Sequence, residues 1–157
     1  MPFSTAIDMA SPESAIALAG YREENLKLLS RQTGASLVMR GQELYLSGTA
    51  SGVGLAKGII TALEPLWSQG QPITSADIVT ARQALDTDRV DELQAIHHDV
   101  VAKTRRGEVV RAKTFRQKQY IRALRTHDMV FCIGPAGTGK TSLATMVGMQ
   151  ALVNDEY

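Results

Sequence analysis

The sequence predicts a mixed α/β chain, in which a small α+β unit is followed by the start of a parallel-sheet domain. Residues 36–47 alternate in the strand period around a turn, and Ser51–Ser68 repeats apolar residues at helical spacing. Near the end, a glycine-rich loop lies between an apolar run and an apolar helix. The first part therefore pairs its strands locally, whereas the last part begins a sheet of the α/β kind.

Composition is that of an ordinary globular protein, with 44% hydrophobic and 21% charged residues in 157. No run approaches the about 18 uninterrupted apolar residues that span a bilayer. The start, MPFSTAIDMA, has neither a basic leader nor an apolar signal core. We therefore expect a cytoplasmic protein without a membrane partner, whose single cysteine, Cys132, stays reduced.

The first elements are two helices and a hairpin. The apolar run Ala15–Leu18 stops at Gly20, and a helix over Glu23–Gln32 stops at Gly34. The segments SLVMR and ELYLS then alternate on either side of Gly41 and Gln42, a pair suited to a two-residue turn. We expect an antiparallel hairpin there.

Two further helices follow the hairpin. Ser51–Ser68 carries one apolar stripe, which predicts a continuous helix buried on the sheet. The stripe consists of Val53, Ala56, Ile60, Leu63 and Trp67. Thr74 and Asp77 then form a capping box that predicts a helix from Ser75 to about Asp86.

These elements predict three segments. Residues 1–86 form a small α+β domain, and residues 87–112 form a linker and a basic hairpin, with Gly107 in the turn between VVAKT and EVVRAKT. Residues 113–157 begin a second domain. There Gln117–Arg125 predicts a helix, and MVFCI, residues 129–133, predicts a buried strand in which Cys132 is an inert core residue.

The segment GPAGTGKT, Gly134–Thr141, matches every fixed position of the Walker A pattern. Glycines let the backbone wrap around phosphates, and the helix from Lys140 to about Val153 presents free amides to them. Lys140 would reach the terminal phosphates, and the Thr141 hydroxyl would ligate a magnesium ion. The candidate nucleotide-binding residues are Gly134, Pro135, Ala136, Gly137, Thr138, Gly139, Lys140 and Thr141. ATP and magnesium are the expected ligands.

Other groups bear on metal binding and hydrolysis. His97, His98 and His127 lack the spacing of a ligand set, so we expect no protein metal site beyond Thr141. A phosphate-loop ATPase also needs an acidic residue at the end of a second strand. Only Asp155 and Glu156 follow the loop helix, at its far end. We therefore expect nucleotide binding without hydrolysis by this length of chain, and exposed apolar surface around residues 129–157.

Residues 103–125 hold nine basic side chains and one acid, Glu108. The basic residues are Lys103, Arg105, Arg106, Arg111, Lys113, Arg116, Lys118, Arg122 and Arg125. Such a segment attracts polyanions such as RNA, although a run of this kind is also the ordinary solvated face of a globular domain.

The run KTFRQKQYIRALRTHDMVFCIGPAGTGKTSLA resembles the opening of the ATPase domain in PhoH-like proteins, cytoplasmic P-loop ATPases linked to RNA metabolism. The resemblance implies a parallel-sheet P-loop NTPase domain, here truncated soon after Walker A, behind a small KH-like domain. It also implies that Gln117 reads the adenine edge, although Phe115 and Arg116 replace the usual proline and glycine. A nucleic-acid-binding KH loop needs GXXG, whereas Gly20 is followed by Tyr21, Arg22 and Glu23.

Two hypotheses follow. The first is an ATP-binding portion of a PhoH-like ATPase, in which hydrolysis belongs to the whole protein. The alternative is a non-enzymatic nucleic-acid-binding or docking module with a vestigial phosphate loop, built on the KH-like unit and the basic hairpin.

Overall fold

The computed structural model describes residues 2–156, which divide into two compact units between Gln94 and Ala95. Each unit combines helices with a small antiparallel sheet. The predicted mixed class is therefore confirmed. The division falls within the segment 87–112.

The first unit contains three strands and five α-helices, and a sixth α-helix contains the division. In chain order they are β1 (Phe3–Asp8), α1 (Pro12–Ala19), α2 (Glu24–Thr33), β2 (Ser36–Arg40), β3 (Glu43–Gly48), α3 (Ala50–Ala62), α4 (Glu64–Trp67), α5 (Ser75–Asp86) and α6 (Val90–His98). The sheet order is β1-β3-β2, and both pairings are antiparallel.

The β2–β3 hairpin is confirmed. Leu37 lies opposite Leu46, and the turn residue Gly41 has φ of 62°, a conformation that favours glycine. Strand β1 was not predicted. It pairs with β3 from about forty residues away, with Ala6 opposite Tyr45, so the local pattern does not contain its partner.

Helices α1 and α2 end at Gly20 and Gly34, as the positions of these glycines predict. The amide of Gly20 donates to the carbonyl of Ile16 at 3.0 Å, and that of Gly34 donates to Ser30 at 2.9 Å. Gly34 is in the left-handed conformation that closes many helices.

The continuous helix predicted over Ser51–Ser68 is wrong, because the stripe divides into α3 and α4 at Leu63. Pro65 explains the break, since proline has no backbone N–H to continue the helix and is suited to the first turn of a new one. The stripe is nevertheless buried, and the Trp67 indole donates to the carbonyl of Ile60 at 2.8 Å.

Helix α5 has the predicted bounds. Thr74 N donates to the Asp77 carboxylate at 2.9 Å, and Asp77 N donates to Thr74 Oγ1 at 3.4 Å, which completes the capping box. The structure also places a helix, α6, in the predicted linker.

One face of the sheet is covered by helices, since α2 contacts β2 and α3 contacts β1 and β3. The core between them consists of large aliphatic side chains with almost no exposure. These are Leu18, Leu29, Leu44, Leu46, Ile59, Ile60, Leu63, Leu66 and Ile78. The first unit therefore closes its own core.

The second unit contains β4 (Val100–Lys103), β5 (Val109–Arg111), α7 (Phe115–Thr126) and α8 (Lys140–Val153). The predicted basic hairpin is confirmed, with Gly107 at φ of 82° in the connection. Helix α8 contacts both α7 and β4. It begins at Lys140 and ends at Val153, as the sequence predicts.

The strand predicted for MVFCI is wrong, since none of residues 129–133 lies in a strand. Phe131 is 87% exposed and Ile133 is 98% exposed. Cys132 is also exposed, so its assignment as a core residue is wrong as well. No strand among residues 2–156 pairs with this run, and an extended segment without a partner cannot join a sheet. The expected exposure of apolar surface is confirmed here and at Val153.

Residues 2–156 contain neither a membrane-spanning helix nor a cluster of metal-binding side chains. No helix there is long and apolar enough to cross a bilayer. No cluster of three or more histidine, cysteine, aspartate or glutamate side chains is arranged to hold a metal ion.

Candidate nucleotide-binding site

The glycine-rich loop closes directly onto the first turn of α8. Gly137 has φ of 76° and Gly139 has φ of 87°, conformations that side-chain-bearing residues rarely adopt. A Cβ on Gly139 would also lie 3.5 Å from Gln117 Nε2. No side chain caps the start of α8, so its first amides keep the free donors that attract anions.

The Lys140 ammonium lies inside this loop. It donates to the carbonyl oxygen of Gly134 at 2.9 Å and to that of Pro135, and Thr138 Oγ1 lies 3.4 Å away. Thr138 Oγ1 in turn donates to Pro135 at 2.9 Å. A positive charge is therefore held at the centre of the loop by neutral oxygens, which an anionic oxygen would outcompete.

The Thr141 side chain is exposed in the first turn of α8, beside Lys140 in sequence. A hydroxyl is a hard oxygen ligand of the kind that Mg²⁺ accepts together with phosphate oxygens and water. The loop glycines, the Lys140 charge, the free amides and this hydroxyl therefore fit a nucleoside triphosphate with magnesium.

Helix α7 holds the loop at two places. Gln117 Nε2 donates to the carbonyl of Thr138 at 3.3 Å, and its Oε1 accepts from Lys113 N at 2.8 Å. The hydroxyl of Tyr120 donates to the carbonyl of Lys140 at 3.0 Å. The structure thus brings Gln117 to the loop. The sequence did not predict the hydrogen bond of Tyr120, although its spacing of three from Gln117 places both on one helical face.

The environment of Tyr120 favours the protonated form of its hydroxyl. Burial raises the pKa of Tyr120, and the neighbouring Cys132 thiol raises the same pKa further. The protonated hydroxyl is the form that donates to the Lys140 carbonyl, so the raised pKa and this hydrogen bond agree.

The structure uses part of the basic segment internally. Arg111 is 8% exposed and donates to the carbonyl of Ala112 at 3.2 Å, and Arg125 contacts the Asp99 carboxylate at 3.0 Å. Exposed basic side chains remain along the same stretch. They include Lys103, Arg105, Arg106, Arg116 and Arg122.

The two acids after the loop helix lie at the opposite end of α8 from Lys140. Asp155 N donates to the carbonyl of Leu152, in the last turn. At about 1.5 Å of rise per residue, a helix of this length separates its ends by about 20 Å. These carboxylates therefore cannot reach a magnesium ion at Thr141.

The second unit thus presents a Walker A sequence whose loop closes on a helix amino terminus. The family model described as PhoH-like protein matches residues 109–157. A PhoH-like protein of Synechocystis is 52% identical over 98% of this chain and 47% of its own length. The Bacillus subtilis PhoH-like protein is 30% identical over 93% of this chain and 46% of its own length.

A PhoH-like protein of Mycobacterium tuberculosis is 36% identical over 90% of this chain and 40% of its own length. The chain therefore belongs to the PhoH-like protein family, as its sequence predicts. It spans somewhat under half the length of these curated relatives. No solved structure matches it significantly.

Proposed function

We propose that this chain binds ATP with magnesium through residues Gly134–Thr141. Backbone amides of the loop and of the first turn of α8 hold the phosphates. Lys140 neutralises the terminal phosphates, and Thr141 supplies one ligand to magnesium. Gln117 belongs to the same site through its contact with the loop.

The observation that carries this proposal is the position of the Lys140 ammonium. It lies within a loop that turns through two glycines with positive φ and closes on the uncapped start of α8. A glycine-rich turn that binds nothing does not require a lysine ammonium next to it. A phosphate site does require a positive charge close to the backbone amides that bind the phosphate oxygens.

We further propose that the chain is the ATP-binding portion of a PhoH-like ATPase linked to RNA metabolism and located in the cytoplasm. Family membership supports the ATPase assignment. Hydrolysis would belong to the whole protein, because an acidic magnesium-orienting residue is needed and the nearest acids after the loop lie at the far end of α8.

The test is Lys140→Ala, with Lys57→Ala as the control. Lys57 is an exposed lysine of α3 in the first unit, so both variants lose one positive charge. Because charge-assisted hydrogen bonds contribute about 1.5–3 kcal/mol, MgATP affinity measured by calorimetry should fall about tenfold or more in Lys140→Ala. The control should retain the wild-type affinity. Equal binding by the parent and both variants would show that the loop is not the site.

The second candidate is a nucleic-acid-binding or docking module, favoured by the exposed Arg105 and Arg106 in the connection between β4 and β5. Single-stranded RNA should then bind with an affinity that falls steeply as salt rises. The double variant Arg105→Ala with Arg106→Ala should weaken binding and flatten the salt dependence, whereas Arg31→Ala with Lys57→Ala should not. Absent or salt-independent RNA binding would remove this candidate.

A further inference from the structure

Gln117 uses both ends of its side-chain amide within the protein. Its carbonyl oxygen accepts from Lys113 N at 2.8 Å, and its NH₂ group donates to the Thr138 carbonyl at 3.3 Å. An amide reads an adenine edge by donating and accepting at the same time. That pair of functions is already committed here to the backbone before α7 and to the phosphate loop.

The rest of α7 supports the same role. Thr114 Oγ1 caps the helix by accepting from Gln117 N at 3.1 Å, which fixes the backbone from which the side chain projects. Tyr120 then holds the Lys140 carbonyl at 3.0 Å. Gln117 and Tyr120 therefore hydrogen-bond to the residues on either side of Gly139. The positive φ of Gly139 sets the direction of the chain into α8.

We propose that Gln117 is a positioning residue that acts on triphosphate binding by fixing the phosphate loop, and that it does not select the base. This rests on the proposed nucleotide site. The site consequently accepts nucleoside triphosphates with little discrimination by Gln117 between adenine and guanine. The loss of Gln117 should therefore lower the affinity for a triphosphate without a base as much as it lowers the affinity for ATP.

The experiment compares three magnesium-bound ligands, ATP, GTP and inorganic tripolyphosphate, on the wild-type chain and on Gln117→Ala. Loss of the hydrogen bond from Gln117 to Thr138 in the loop, and of the bond from Lys113 N that orients the Gln117 side chain, should weaken all three by a similar factor, about three- to tenfold. Gln119→Ala is the matched control, because Gln119 is an exposed glutamine on the same helix. It should leave all three affinities unchanged.

Gln117→Met is a second variant, which keeps length and helix propensity but removes both hydrogen bonds. Partial unfolding would also lower all three affinities by a common factor. A thermal melt without ligand therefore has to show that each variant is fully folded at the temperature of the binding experiment. An equal loss for the three ligands supports the proposal. A loss confined to ATP assigns base reading to Gln117 and overturns it, as does no loss at all. A wild-type chain that binds none of the three would instead overturn the nucleotide site itself, and this inference with it.

Discussion

The two compact units bury their apolar side chains to very different extents. Ile59 and Leu44 of the first unit are completely buried, whereas Phe131 and Ile133 of the second are 87% and 98% exposed. The first unit pairs its strands in antiparallel fashion and covers one face of the sheet with α2 and α3. In the second, the apolar run before the glycine-rich loop has no strand partner among residues 2–156.

This difference shows how strand pairing determines which apolar residues enter a core. In a hairpin, the two paired strands are separated by a turn of only about two residues, so each strand has its partner close by in sequence. Parallel strands need a crossover connection of a dozen or more residues, so the partner is always distant in sequence. Apolar side chains of the first unit therefore lie in a closed core, whereas those of residues 129–133 in the second unit stay largely exposed.

Amide hydrogen exchange should reveal the largest contrast. Opening free energies range from about zero in exposed segments to the global stability in core strands. We therefore expect the amides of residues 129–139 to exchange within the dead time of the experiment, while those of the central strand β3 are strongly protected. Strong protection at residues 129–139 would contradict the comparison, since it would require partners for these amides.

A matched pair of isoleucine truncations should give the next largest contrast. Ile59→Ala removes a completely buried side chain and should lower the free energy of unfolding by about 2–5 kcal/mol. Ile133→Ala removes an exposed one and should change it by less than about 0.5 kcal/mol. Urea unfolding followed by circular dichroism measures both, and fluorescence of the single tryptophan, Trp67, reports the first unit separately. Similar losses in the two variants would show that residue 133 is packed in solution.

Two glycines of α3 test packing within the first unit. A Cβ on Gly52 would lie 2.7 Å from the backbone oxygen of Thr33, so Gly52→Ala should destabilise by about 1–3 kcal/mol. Gly54 has open space around it, and Gly54→Ala should stabilise by about 0.4–1 kcal/mol through better helix propensity. The midpoint of thermal unfolding measures both. Stabilisation by Gly52→Ala would mean that α2 and α3 are less closely packed than the structure shows.

The smallest effect concerns alkaline pH in the second unit. The pKa of Tyr120 is raised by burial and by Cys132, so the folded state holds this proton more tightly than the unfolded chain does. Its contribution to stability is fully present below the unfolded pKa of about 10 and is lost as pH rises through the folded pKa. Subtracting the absorbance titration of Tyr120→Phe from that of the wild type isolates the ionisation of Tyr120. Its midpoint should lie above the ordinary tyrosine pKa of about 10. A midpoint at or below that value would contradict the assignment.

Local chemistry explains most of what could be predicted. Gly34 and Gly41 terminate a helix and form a turn because few other residues accept their conformations. Thr74 with Asp77 starts α5 because its capping contacts span only three residues. The Walker A loop and the start of α8 at Lys140 were likewise predicted from adjacent residues.

The elements that were mispredicted depend on distant partners or on a single backbone restriction. Strand β1 forms because β3 offers it an edge, and MVFCI is not a strand because no strand within residues 2–156 pairs with it. Pro65 divides the apolar stripe of α3 and α4, a restriction that the apolar spacing alone does not express.

The sequence by itself determined the family, the mixed class, the ends of α1, α2, α5 and α8, and the glycine-rich loop with its Walker A pattern, because each of these follows from residues close together in the chain. Only the tertiary structure decided that Gln117 and Tyr120 reach the loop, at Thr138 and Lys140. These contacts join residues about twenty positions apart, and they form because α7 packs against α8. Packing between helices selects which side chains meet, and spacing along one helix can only say which of them share a face.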